Sequence, residues 1–373
     1  MLRVRRFSFA CVVLCAAAAS AREPKQTHED GAQFVGAIGC RSSSCHGGAG
    51  EKRSQYITWS QKDFHTKAFV ILTDARSARI AETVGDGAAT ANARCTVCHS
   101  PFQSVSQARL ASTAHPDEGV SCETCHGAAG PWLRGHTRTD WTYTMRVSAG
   151  MHDLKSLYVR ANVCVACHQN IDHDLLKAGH PPLVFELDSQ SVHEPKHWRD
   201  DDPWTGVRSW LVGQAVALRE VTWAIAQQPT QDEEEFARWH ALKWILSKVP
   251  LANENNASLP AMSAFPGIQL EADKIAQHAV QLSCTQQSVR ELLITLASTE
   301  NDFVGKTGDK TLPENAKRLV LALDALSRAL NASGGAPLKI DNELEALHDD
   351  TRAFSNFDAA RFTDHLRAFR SKL

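Results

Sequence analysis

Three five-residue strings set two thiols and an imidazole at one spacing: Cys95-Thr96-Val97-Cys98-His99, Cys122-Glu123-Thr124-Cys125-His126 and Cys164-Val165-Ala166-Cys167-His168. Two thiols so spaced can add to the vinyl groups along one porphyrin edge, and the imidazole that follows turns under the ring toward iron. CxxCH is the attachment pattern of c-type haem. Ahead of them in the chain, Cys40-Arg41-Ser42-Ser43-Ser44-Cys45-His46 keeps the thiols and the imidazole with two more residues between the thiols, which an outward bulge can absorb; in chain order the motifs that begin at Cys40, Cys95, Cys122 and Cys164 are the first to the fourth. The expected cofactors are four c-type haems (iron), with these eight cysteines as thioether anchors and His46, His99, His126 and His168 as proximal ligands.

With 11 Cys and 17 His in 373 residues, chance yields roughly 0.015 copies of CxxCH, so three copies are not chance. A zinc ribbon also pairs CxxC units, but it needs no His after each second Cys. A thioredoxin-like pair needs a βαβ setting, and structural disulfides would not repeat the His. For the longer Cys40/Cys45 pair, an unmodified or disulfide-bonded state stays open.

A low-spin haem iron takes a second axial ligand, normally His or Met. Beyond Met1 and Met262 the chain offers only Met145 and Met151, whereas nine His of residues 22–202 lie outside the motifs. At most four of the nine can be distal ligands. His65 precedes the apolar run Lys67 to Leu72 and can project from it onto a haem face. His136 follows the third motif after Gly127-Ala128-Ala129-Gly130, a loop that lets the chain fold back. His173 and His180 are expected on one face of a short helix closed by Gly179 and Pro181; either each serves a different haem or one only supports a ligand. His115 is an even choice, and His28 reads as a terminal residue. Trp132 and Trp141 flank His136 and pack on porphyrin or fill core.

The elements that must hold these residues divide the chain in two. Residues 22–202 carry 13 of the 17 His and eight motif cysteines, and they read as loops and short turns, with one longer helical segment over 57–84. Planar cofactors would supply the core that side chains do not. Residues 203–373 read as an α-helical domain with helices near 204–228, 232–249, 269–298, 313–333 and 356–371. Asp202-Pro203 and Thr230 are start signals, Gly334-Gly335 a stop, and Asp232 to Glu235 complements a helix dipole. Cys284 reads as a small apolar residue inside a helix. The fold class expected is mainly α: a loop-rich multihaem cytochrome c domain followed by an α-helical bundle.

Residues 1–21 read as a signal peptide: Arg3, Arg5 and Arg6, then the apolar Phe7 to Ala18, then Ala19-Ser20-Ala21. Its removal takes the net charge from −2 to −5, because three Arg leave with it. Nothing resembles a basic nucleic-acid footprint, and no apolar run after residue 30 reaches the ~18 residues of a membrane span. The expectation is a periplasmic or otherwise exported protein with no membrane span in the mature chain, working with redox partner proteins.

The run Gly119-Val120-Ser121-Cys122-Glu123-Thr124-Cys125-His126-Gly127, followed by His136, resembles the tetrahaem cytochrome family that takes electrons from hydroxylamine oxidoreductase in nitrifying bacteria. The resemblance spans roughly residues 36–200 and includes the His65 segment; the longer first motif and the helical second half fall outside its pattern. It implies haems packed in close pairs, most irons with two His ligands, and room for one iron without a distal ligand. Electron transfer is the first expectation. Its rival is a multihaem oxidoreductase with one open haem acting on a small nitrogen or sulfur compound, and a third reading has the helical half docking a redox partner or anchoring the haem half in a larger complex.

Overall fold

A computed structural model describes residues 31–227, 232–249, 265–304, 309–352 and 356–373. The segment 1–21, together with His28, Thr230 and Met262, lies outside the described residues. The chain is mainly α, and among the described residues the isolated Phe34–Leu110 bridge is the β-type pairing.

Over residues 31–156 the buried apolar clusters are two small groups, Leu72, Ala81, Ala89 and Cys95, and Phe102, Leu110 and Ala114, with Ala37, Ile80, Ala129 and Trp132 buried outside them. A segment of this length would ordinarily bury one contiguous core. The helical stretch expected over 57–84 is divided into Gln55–Lys62, a 3-10 turn Phe64–Lys67, Ala68–Ile71 and Ala75–Val84. The breaks fall at capping residues inside it. Asp63 accepts a hydrogen bond from the backbone N–H of His65 at 2.8 Å, and Asp74 from that of Ser77 at 2.7 Å. Each side chain competes with the helix ladder and restarts the chain in a new direction.

The second half is a helical bundle around Thr205–Gln227, which packs against Phe265–Ala279, Glu233–Ser247 and Leu312–Ala332. Asp202 opens the central helix by accepting from Trp204 N–H at 2.8 Å. Asp232, not Thr230, caps the next helix, and the long helix ending at Ala332 stops just before Gly334, whose φ is +86°. The helix expected over 269–298 is two, Phe265–Ala279 and Gln286–Ala297, because Thr285 and Ser288 form a reciprocal capping box. Cys284 therefore lies in the connection, partly buried against the core, rather than inside a helix. Asp341–Arg352 is a further helix that the periodicity missed.

One core spans both halves. Leu157, Ala161 and Val165, at the i, i+4, i+8 spacing of a helix face, join Phe185 and Leu187 in the same cluster as Trp210, Leu242 and Leu323. The helix Leu157–His168 is also tied by Tyr158, whose hydroxyl donates to Asp273 at 2.7 Å. Arg318, fully buried, donates to the Phe185 carbonyl at 3.0 Å and to Gln214 Oε1 at 3.1 Å. The fourth motif is thus mounted on the bundle.

Candidate haem-binding centres

Each CxxCH string closes a helix: Ala93–His99, Cys122–His126 and Leu157–His168. Cysteines at i and i+3 and the His at i+4 share one helix face, so all three groups point to the same side. Capping aims these helices. Asn92 accepts from Arg94 N–H at 2.9 Å, and Ser121 with Thr124 forms a capping box. In the longer first string the extra residues form a turn, with Cys45 N–H bonded to the Ser42 carbonyl at 2.8 Å and His46 N–H to that of Cys40 at 3.2 Å. The nine described cysteines are free thiols.

The Gly119-to-Gly127 string owes its residue types to tight approaches. Gly119 (φ +74°) and Gly127 (φ +80°) take left-handed conformations, and a Cβ would come within 2.8 Å of the His65 carbonyl at the first and 2.9 Å of the Gly150 carbonyl at the second. Val120 N–H donates to that His65 carbonyl at 3.1 Å, which fixes His65 against the third motif. Glu123, 2% exposed, accepts from the backbone N–H groups of Val35 (3.0 Å), Gly36 (2.7 Å) and Ala129 (2.6 Å). It binds the approach to the first motif onto the third.

Each motif His faces one non-motif His. Ring centroids lie 6.2 Å apart for His46 and His136, 6.4 Å for His99 and His180, 6.3 Å for His126 and His197, and 6.0 Å for His168 and His65. Two imidazoles bound to opposite sides of one metal through Nε2, with metal–nitrogen bonds of about 2 Å, have centroids about 6.3 Å apart. The four separations fit an iron between each pair. In six of the eight rings Nδ1 has a partner elsewhere, which leaves Nε2 for ligation: His46 on Gln55 Oε1 at 3.0 Å, His99 on the Ala68 carbonyl at 2.9 Å, His136 on the Leu133 carbonyl at 2.5 Å and His180 on the Pro181 carbonyl at 2.8 Å, with His168 and His65 the other two. His168 Nδ1 lies 3.4 Å from Gln190 Nε2 while the buried Gln190 Oε1 has no partner. Turning that amide over satisfies both. His65 Nδ1 meets Asp63 at 2.9 Å and Glu194 at 3.6 Å.

Burial favours the neutral, ligating form of four of these rings. It pushes the His126 pKa down to about 4, assisted by His197, and lowers those of His99, His136 and His168. His65 goes the other way, up to about 10, through its hydrogen bond to Asp63 and the carboxylate of Glu194 beside it.

Of the expected distal candidates, His65, His136 and His180 stand opposite motif histidines. His173 does not: it is the first residue of the helix His173–Lys177 and pairs with Asp232 at 3.4 Å. The shared helix face expected for His173 and His180 is absent, because the helix ends before Gly179 (φ +103°) and His180 lies beyond that turn. The residue that sequence reasoning missed is His197, the partner of His126. It follows Pro195-Lys196 at the edge of the His-rich segment, and nothing in its spacing singles it out. Trp198, at 5.3 Å edge-to-face, supports its ring. Trp132 stands 5.3 Å from His136, and Trp141 fills the space where Gly135 would carry a Cβ.

Thiols of different motifs are also neighbours: Cys40 and Cys122, and Cys98 and Cys167, are close enough to shift each other's ionisation, and Cys125 lies within electrostatic range of Cys164.

A family model described as cytochrome c554 and c-prime matches residues 39–127, a span that includes the first three motifs and His65. The match supports a c-type cytochrome. Electron transfer, c-type haem with its iron and redox partner proteins go with that family. No curated protein and no solved structure matches the chain. Among the described residues no helix is long and apolar enough to cross a membrane.

Proposed function

We propose that this chain is an exported electron carrier with four covalent c-type haems, each iron held between two imidazoles. The pairs would be His46 with His136, His99 with His180, His126 with His197 and His168 with His65, and the eight motif cysteines would be the thioether anchors. The observation that carries the proposal is the set of four ring separations between 6.0 and 6.4 Å. Export rests on the sequence of residues 1–21 and on the oxidising-side assembly that covalent haem implies. Haem supplies reversible one-electron chemistry; the chain's own residues fix the axial geometry and bury it. With an imidazole opposite each motif His, none of the four centres is left open for a small substrate, which favours a carrier over an oxidoreductase. The proximity of thiols from different motifs supports a spatial order of first, third, fourth and second motif, a single path through the protein.

The test is the intact mass and the EPR spectrum of the oxidised protein made with a periplasmic haem-ligation system. Four haem masses above the signal-cleaved chain and wholly low-spin iron are expected. Three haems would remove the Cys40/Cys45 centre, and a native high-spin component would reopen the oxidoreductase reading.

A further inference from the structure

Among the eight paired histidines, five present Nδ1 to neutral groups: the Gln55 and Gln190 amides and the Ala68, Leu133 and Pro181 carbonyls. His65 differs. Its Nδ1 meets two carboxylates, and Asp63, Glu194 and His65 bring their ligand atoms within 4.8 Å of one another. Among the described residues His65 is the one of the eight in an ion pair with an acid.

Asp63 is held firmly in this role. It is 6% exposed, and the same Oδ1 that faces Nδ1 also accepts the backbone N–H of His65 at 2.8 Å. Glu194 enters from the far end of the haem region, just past the helix Leu187–His193, whose Gln190 stands behind His168. Both axial rings of this centre are therefore supported from one neighbourhood.

We infer that Asp63, aided by Glu194, acts as a positioning residue that makes the His65/His168 centre the one of lowest reduction potential among the four; this rests on the bis-imidazole reading above. An Nδ1–H donated to a carboxylate leaves the imidazole a stronger electron donor through Nε2. A carboxylate beside the ligand also favours the ferric over the ferrous state, because the extra positive charge is stabilised in a medium of low dielectric. Both effects have the same sign. In the spatial order of motifs this centre lies between the second motif and the first–third pair, so it divides the path. On partial reduction, electrons reside on either side of it.

The experiment is an EPR-monitored redox titration of the haem-loaded full chain, comparing wild type with Asp63→Asn, Glu194→Gln and Asp63→Glu. In wild type one low-spin component should be reduced last. In Asp63→Asn that component's midpoint should rise and its g-values shift while the other three stay in place. Glu194→Gln should move it the same way by less, and Asp63→Glu should largely restore the wild-type value. A purely structural role would not give restoration of one midpoint by a carboxylate. An unchanged last midpoint in both neutral variants, or a shift in a different component, overturns the inference while the four-haem reading stands. Intact mass taken on the same samples separates the two failures, since fewer than four haems in wild type defeats the underlying reading itself. Should Asp63→Asn fail to assemble, Glu194→Gln alone decides.

Discussion

The imidazole planes of His46 and His136 are within 13° of parallel, whereas the other three facing pairs cross at 62°, 70° and 84°. Axial imidazoles donate to the iron d orbitals perpendicular to their own planes. Parallel planes act on one orbital and separate it from its partner; crossed planes act on both and leave them close in energy. The oxidised protein should therefore give one rhombic low-spin EPR signal from the first centre and strongly anisotropic signals with large maximal g from the others. Four rhombic signals would contradict the ring orientations.

His197→Ala should convert one of four haems from low-spin to high-spin while the intact mass still reports four attached haems, because the distal bond is separate from the thioethers. His173→Ala should leave the spin states unchanged, since that ring is occupied by Asp232. The charge-transfer band of high-spin ferric haem distinguishes the two variants in one absorption spectrum. The reverse result would exchange the roles assigned to these residues.

Glu123→Ala removes the acceptor of three backbone N–H groups in a site 2% exposed. Each stranded donor costs about 1–3 kcal/mol, so a loss on the order of 3 kcal/mol or more is expected. It should appear as a lower thermal midpoint and as new proteolytic cleavage near Val35 and Gly36, where the chain is no longer held to the third motif. A wild-type melting curve would show that these bonds are replaced by water at no cost.

The proximal half of each centre was legible because attachment is local: two thiols and a His within one helical turn are all that it needs. The distal half is long-range. His65 could be read from the apolar run it precedes and His136 from the glycines before it, but His180 and His173 could not be told apart until the turn at Gly179 was seen. His197 approaches His126 from a segment 71 positions later, and no periodicity encodes that. The bundle followed its hydrophobic spacing apart from the missed helix Asp341–Arg352, and in both halves the expected helices that proved to be divided break at caps. Thr285 and Asp63 are short polar residues whose side chains replace a backbone bond, and an apolar pattern runs straight across such positions.

The helical half should not be an independent unit when it is cut at residue 203. Leu157, Ala161, Val165, Phe185 and Leu187 belong to its core, and Phe185 and Leu187 are fully buried there. Burying side chains of this size contributes roughly 1.5–3 kcal/mol each. The cut would also take away the Phe185 carbonyl that accepts from Arg318, a buried cation whose Nε and Nη2 already lack partners. Stripping a partner from a buried charge costs several kcal/mol. A fragment 157–373, purified under reducing conditions without haem, should therefore melt cooperatively and well above a fragment 203–373. The shorter piece should bind a hydrophobic dye through the face left by Phe185. Equal midpoints and no dye binding would mean that residues 203–373 close their own core, and that the fourth motif is docked on the bundle rather than built into it.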